Sequence, residues 1–163
     1  MPCYTGVAMS KSHWLMKTEP SSYSIDDLER GKTEAWTGVR NYQARNLMWR
    51  EMAVGDLVLF HHSSAEPAGI AGLARVASKP HPDLTQFDKK GPYFEPRATK
   101  EKPVWWCVDV AFVKKFHRLL PLEELRGIPA LSGMVLLQRG SRLSVQPVTE
   151  RQYETILKLA AKI

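Results

Sequence analysis

The apolar positions of this chain switch between strand and helix periods, and the switches mark its elements. His13–Lys17 (HWLMK) is a short, mostly apolar run and predicts a strand. The TEPSSYS that follows is a loop, in which Ser24 can cap a short helix through Glu29. Asp26 and Asp27 would sit in its first turn, and Gly31 would end it. A second helix is predicted from Thr37 or Gly38 to about Met52. Leu57–Phe60 is continuously apolar and so reads as a strand buried on both faces. GIAGLARVAS is another strand, whose Gly69 and Gly72 point to a bulge or a close backbone approach. In VWWCVDVAFVKKF, Val104, Trp106, Val108, Val110 and Phe112 alternate on one face, with Trp105, Cys107 and Asp109 on the other. PLEELRG gives one helical turn, GMVLLQ a helix or a strand, and RLSVQPV a short strand. Thr149 and Gln152 form a capping box for a last helix with Tyr153, Ile156, Leu157 and Ala160 on its buried stripe.

Between Pro80 and Pro103 the chain carries five prolines among charged residues, a long irregular excursion of the kind that is usually functional. The order is β-α-α-β-β-loop-β-α-β-α, with no internal repeat and no domain boundary. It predicts an α+β fold, a small and mostly antiparallel β-barrel, partly closed and flanked by helices. One domain spans residues 13–163, and residues 1–12 read as a flexible tail, with Met9 an alternative start.

Charge narrows the function classes. A formal net charge of +6 and a pI near 9.4 favour a polyanionic partner, with metabolic enzymes of similar pI the main competitor. Cys3 and Cys107 lie far apart with no CxxC spacing, which argues against a disulfide framework or zinc site and for a reducing cytosol. The N-terminus lacks the basic-then-apolar pattern of a signal peptide, and no apolar run approaches the ~20 residues of a membrane span. The expectation is a soluble, cytoplasmic monomer that uses neither cofactor nor metal.

Several motifs carry weak chemistry. GKTE (Gly31–Glu34) resembles the end of a phosphate-binding loop, but Asp26 stands where that loop needs glycine. HHSS sets His62 beside Ser63 without a nucleophile elbow, and strand neighbours point to opposite faces. His61, His62, His81 and Asp83 lack metal-ligand spacing.

The aromatics say more. Of five tryptophans, Trp14 and Trp106 sit at core-like positions and Trp49 at a helix-packing one. Trp36 precedes a helix N-terminus and Trp105 opposes the apolar face of its strand, while Tyr93 and Phe94 lie in the irregular excursion. Aromatic walls near basic residues suit a flat π ligand. In AWTGVRNYQARN, Arg40, Asn41 and Arg45 cluster near the helix start, where free N–H groups attract a phosphate or a carbonyl oxygen. Asparagine can pair with a base edge and arginine can clasp phosphate. The bland alternatives are that Trp36 plugs a barrel end and that the helix start only satisfies neighbouring loops.

HWLMKTEP, WTGVRNYQARN, GIAGLARV followed by HPDLTQFD, WWCVDVAFV and RLSVQPVT, in this order, resemble the EVE domain family of the PUA-like superfamily, from about His13 to Leu159. That superfamily also holds the YTH and SRA-type readers of modified bases. The resemblance implies a PUA-like barrel that binds nucleic acid, DNA or RNA, and holds a flipped, modified base, with modified cytosine the usual proposal. By likeness to YTH domains, Trp36 would be one wall of an aromatic pocket, with Tyr93, Phe94 or Trp105 the second. The loop after Lys17, with Glu19 and Tyr23, would meet the base edge. Thr37, Asn41, Tyr42 and Ser63 complete the expected pocket, and Arg40 and Arg45 the expected phosphate contacts. His61 departs from the pattern, which has tyrosine before His-Ser. No acid–base pair or nucleophile belongs to the pattern, so the expectation is a binder and not an enzyme. The alternatives are a hydrolase or RNA-processing enzyme using His62 and Ser63, and a sensor of a free base or nucleoside.

Overall fold

The structure is a computed structural model that describes residues 11–140 and 142–162. All of the predicted tail except Lys11 and Ser12 therefore lies outside the described residues. Ser12 is already anchored, its N–H donating to Asp56 Oδ1 and its carbonyl accepting from Leu57.

Among the described residues eight strands and four α-helices follow in the order β1 (His13–Thr18), α1 (Ile25–Gly31), β2 (Thr33–Ala35), α2 (Tyr42–Asn46), β3 (Leu57–His62), β4 (Gly69–Val76), β5 (His81–Pro82), β6 (Trp106–Cys107), β7 (Asp109–Pro121), α3 (Leu122–Arg126), β8 (Val145–Val148) and α4 (Glu150–Ala161). Six strands form one curled sheet in the order β2-β7-β4-β3-β1-β8, and β5 pairs with β6 apart from it. Among the described residues the β1–β3 pairing is parallel and the other pairings in this sheet are antiparallel. This is the mostly antiparallel, partly closed α+β fold of the PUA-like type, with helices packed around the sheet.

Both faces of the sheet are buried, which is why Leu57–Phe60 has no polar alternation. On one face Trp14, Met16, Val58 and Phe60 pack with Ile25 and Leu28 of α1 and with Met48. On the other, Leu15, Leu59, Ile70 and Leu73 pack against Leu125 of α3 and Tyr153 and Ile156 of α4. The predicted close approaches on β4 are real. A Cβ at Gly69 would sit 2.2 Å from the Leu120 carbonyl oxygen, and one at Gly72 would sit 2.4 Å from that of Lys114. The β4–β7 register shifts between Ile70 and Gly72 and again between Leu73 and Ala74, as β-bulges that bend the strand would do.

Three elements differ from the sequence expectation. The helix placed at Thr37 or Gly38 begins at Tyr42, because Gly38 has φ +85° and Asn41 is the N-cap. Beyond Asn46 it widens into a π-helical turn over Leu47–Glu51. The long strand at 104–116 is cut at Val108, where the chain leaves the β5–β6 pair and enters the main sheet. Trp105 is consequently buried and Trp106 half-buried, stacked on Trp49 at 5.0 Å. GMVLLQ is neither helix nor strand but holds a 3-10 turn at Val135–Leu137. The predicted capping box of Thr149 with Gln152 is formed, and Ser24 caps α1 as expected, with the Asp27 side chain accepting from the Ser24 amide to complete a second box.

Candidate nucleic-acid interface

A cavity of about 450 Å³ opens at one end of the curled sheet. The end of β1 supplies Lys17 and Thr18, and the turn after it Glu19, Ser22 and Tyr23. Strand β2 supplies Glu34 and Ala35, and the connector to α2 runs along the wall from Trp36 to Arg40. Tyr93 from the proline-rich excursion and Ser144 before β8 close the remaining side.

Trp36 forms the inner wall. It is only 7% exposed and packs edge-on against Phe60 at 5.6 Å, so it belongs to the core and to the cavity at once. A sequence reading that sets stacking wall against core plug does not anticipate that double placement. Tyr93, 42% exposed, is the outer aromatic. Its ring lies over Gly38, where an added Cβ would be 3.0 Å from Tyr93 Cζ. Glycine at this positive φ lets the ring approach the connector.

Asp83 holds these walls together. The carboxylate is 1% exposed and accepts from Gly38 N (2.8 Å), Arg40 Nη1 (3.0 Å) and Thr85 N (2.8 Å), and also from the Thr85 hydroxyl. Burial pushes its pKa up, but the Thr85, Gly38 and Arg40 hydrogen bonds together outweigh it and hold the carboxyl below the usual range. Arg40 also donates to Thr85 Oγ1 and to the Tyr93 carbonyl, and its guanidinium lies 5.1 Å from the ring centroids of Tyr93 and Trp105. One buried carboxylate and one arginine thus tie the excursion to the connector.

Seven residues expected at the ligand come together around this cavity: Lys17, Glu19, Tyr23, Trp36, Thr37, Arg40 and Tyr93. The others stand elsewhere. Asn41 spends its side-chain oxygen on the Ala44 amide as helix cap. Tyr42 stacks on Trp105 at 4.9 Å and accepts from Arg97. Trp105 is 5% exposed and donates its indole N–H to Glu95, so it props Arg40 from behind. Phe94 lies outside the lining, and the Ser63 hydroxyl donates to the Thr18 carbonyl. Both arginines expected at phosphates are engaged within the protein. Arg45 donates to the Val104 carbonyl and to Asn46 Oδ1, with its guanidinium over the rings of Tyr42 and Trp49.

Among the residues that sequence reasoning did not single out, Glu34, Ser22 and Ser144 also line the cavity. They come from a three-residue strand and two loops, where no periodicity marks a functional position. Partial burial, and then repulsion from Asp109, raise the Glu34 carboxyl above its usual range. Tyr23 is raised too, by burial and then by the charge of Glu34. Burial lowers the Lys17 ammonium.

The parts of a hydrolase do not assemble at HHSS. His62 Nε2 accepts from the Ile25 amide at the start of α1, and no hydrogen bond joins His62 to Ser63 among the described residues. His61 is 1% exposed, with both ring nitrogens unpartnered among the described residues, and its pKa is pushed down to about 4 by burial and then by Lys17. Among the described residues no three His, Cys, Asp or Glu side chains are placed to hold a metal ion, and no helix is long and apolar enough to cross a membrane.

A curled PUA-like sheet with a polar, aromatic-walled cavity at one end defines a class of small domain. Within that class the sequence matches the EVE domain across residues 12–159, so the chain belongs to the EVE domain family. It is 42% identical over 171 residues to thymocyte nuclear protein 1 of Homo sapiens, covering 93% of this chain and 75% of that protein. A hypothetical protein from Leishmania major superposes with a TM-score of 0.89 at 48% identity, over 94% of this chain and 96% of its own. Human THYN1 protein, solved in complex with 5-methylcytosine containing DNA, superposes with a TM-score of 0.87 at 40% identity, over 94% of this chain and 99% of that one.

Proposed function

We propose that this chain is a non-catalytic reader of a modified cytosine in DNA, which receives the extruded base in the cavity between Trp36 and Tyr93. The observation that carries the reading is the cavity itself, with its aromatic walls and unpaired polar groups, in a chain that matches the DNA-bound human THYN1 protein over nearly its whole length. Taking a base out of the stack costs a few kcal/mol. Stacking returns about 1–3 kcal/mol per base, and edge hydrogen bonds supply the rest. Trp36 is pre-positioned by Phe60, and Tyr93 by Gly38 and Arg40, so little ordering is left for the moment of binding. The net charge of +6 favours approach to a polyanion. The protein would act in the cytoplasm as a monomer.

A binding screen tests this. Fluorescently labelled DNA and RNA oligonucleotides, identical except for one cytosine, 5-methylcytosine or 5-hydroxymethylcytosine, are titrated at fixed salt, with free nucleosides as competitors. A preference for a modified cytosine in DNA supports the reading. Equal affinity for all oligonucleotides refutes it, and capture of free nucleosides as tight as the oligonucleotide would make the protein a small-molecule sensor.

A further inference from the structure

Glu34 stands out in the cavity because nothing in the fold uses it. Its carboxylate takes part in no hydrogen bond or ion pair among the described residues, although every carboxylate oxygen of Asp83 nearby is engaged. It faces the ligand space from a fixed platform. Strand β2 pairs with β7, Glu34 opposite Val110, and the pairing runs on through the Trp36 amide to the Val108 carbonyl. Residues two apart on an extended segment share a face, so Glu34 and the Trp36 indole line the same wall. They are about 7 Å apart along the backbone, the span from a stacked pyrimidine ring to a group at its edge.

A carboxylate here is the wrong charge for phosphate and the right chemistry for a base edge that offers N–H. Ionised, it only accepts hydrogen bonds. Cytosine presents an exocyclic N4 amino group, to which Glu and Asp are the matching acceptors, whereas thymine presents the O4 acceptor at the same place. The Glu34 side chain is exposed before binding, but facing O4 of a base that had displaced its water it would set acceptor against acceptor and leave both unpaired. The Tyr23 hydroxyl lines the same space and stays protonated, its pKa raised by burial and by Glu34, so it can donate to the adjacent ring nitrogen.

We propose that Glu34 is the specificity-determining residue of the cavity, accepting a hydrogen bond from the exocyclic amino group of the inserted base and so selecting cytosines over thymine and uracil. This rests on the base-reading function proposed above and assigns the group that does the reading. Glu19 is the other carboxylate in the lining, but it opens a turn, with its carbonyl holding the Ser22 and Tyr23 amides, and no strand fixes it.

The test uses two oligonucleotides that share the methyl group and differ at the amino edge, one carrying a single 5-methylcytosine and the other thymine at that position. Anisotropy titrations compare wild type, Glu34→Gln, Glu19→Gln and, as a control remote from the cavity, Glu154→Gln on α4, with circular dichroism melts showing that each variant is folded. Wild type should favour 5-methylcytosine by roughly tenfold or more. In Glu34→Gln that ratio should collapse to less than about threefold, because an amide can turn its N–H toward O4, while Glu154→Gln keeps the wild-type ratio. A full ratio retained in Glu34→Gln, or lost only in Glu19→Gln, overturns the assignment and leaves the base-reading function standing. A wild type that binds both oligonucleotides alike also overturns the assignment, and one that in addition binds cytosine and 5-methylcytosine alike overturns the base-reading function with it.

Discussion

Asp83→Asn is the substitution from which the architecture of the site predicts most. In the folded protein the carboxylate takes the Gly38 amide and Arg40 on one oxygen and the Thr85 amide and hydroxyl on the other. Asparagine has one oxygen, so whichever way it turns, an N–H faces two donors. Breaking a buried ion pair by removing one partner costs about 3–5 kcal/mol. Arg40 keeps 22% of its side chain in solvent and can recover some hydration, which puts the expected loss near 3 kcal/mol. For a chain of this size that is roughly 6–12 °C in melting temperature. Urea denaturation measures it, with an unchanged m-value showing that the unfolded reference is the same. The pH dependence gives a second signature. The folded carboxyl lies below its unfolded value, so its contribution is complete above about pH 4 and fades as pH falls through the folded pKa. The variant should lack that acid-limb component and should bind base more weakly, since Gly38 and Tyr93 lose their tie. A loss below about 1 kcal/mol, the worth of an exposed pair, would refute the claim that Asp83 holds the cavity walls.

Trp36→Ala should cost about 3–5 kcal/mol of folding free energy, because the indole is core as well as wall. Trp36→Phe separates the roles: base affinity unchanged after correction for folded fraction would remove Trp36 from the ligand. His61 is held neutral, with its pKa near 4, so the unfolded chain takes up a proton that the folded one refuses. Stability should therefore fall as pH drops from about 6.5 to about 4, by about 3 kcal/mol, and a urea series on His61→Leu should lose that slope. Arg45→Ala should cost about 1–3 kcal/mol by stranding the Val104 carbonyl. Its salt slope of DNA binding should match wild type, and a slope reduced by about 0.7–0.9 would instead make Arg45 a phosphate contact.

What the sequence made legible was local. Ser24 as a helix cap and Thr149 with Gln152 as a capping box announce helix starts, because the capping atoms lie within three residues of one another. Gly69 and Gly72 betray the curl of β4 because only glycine fits against the β7 backbone. The misplaced helix start has a remote cause: Asp83 holds the Gly38 amide from 45 positions away. The faces of Trp105 and Trp106 defied simple alternation because the chain changes sheets at Val108. The site divides in the same way. Trp36, Tyr93 and Lys17 could be named from residue type and family pattern, and they line the cavity. Glu34 carries no such mark, since what sets it apart is a carboxylate with no hydrogen-bond partner among the described residues.

A crystal structure of the protein with a duplex carrying one 5-methylcytosine tests the central claim most directly. The account requires the modified base to be out of the helix and inside the cavity, its ring against Trp36 and its outer side under Tyr93. A modified base still stacked in the duplex, or extruded onto another surface while this cavity holds none of it, would contradict the account.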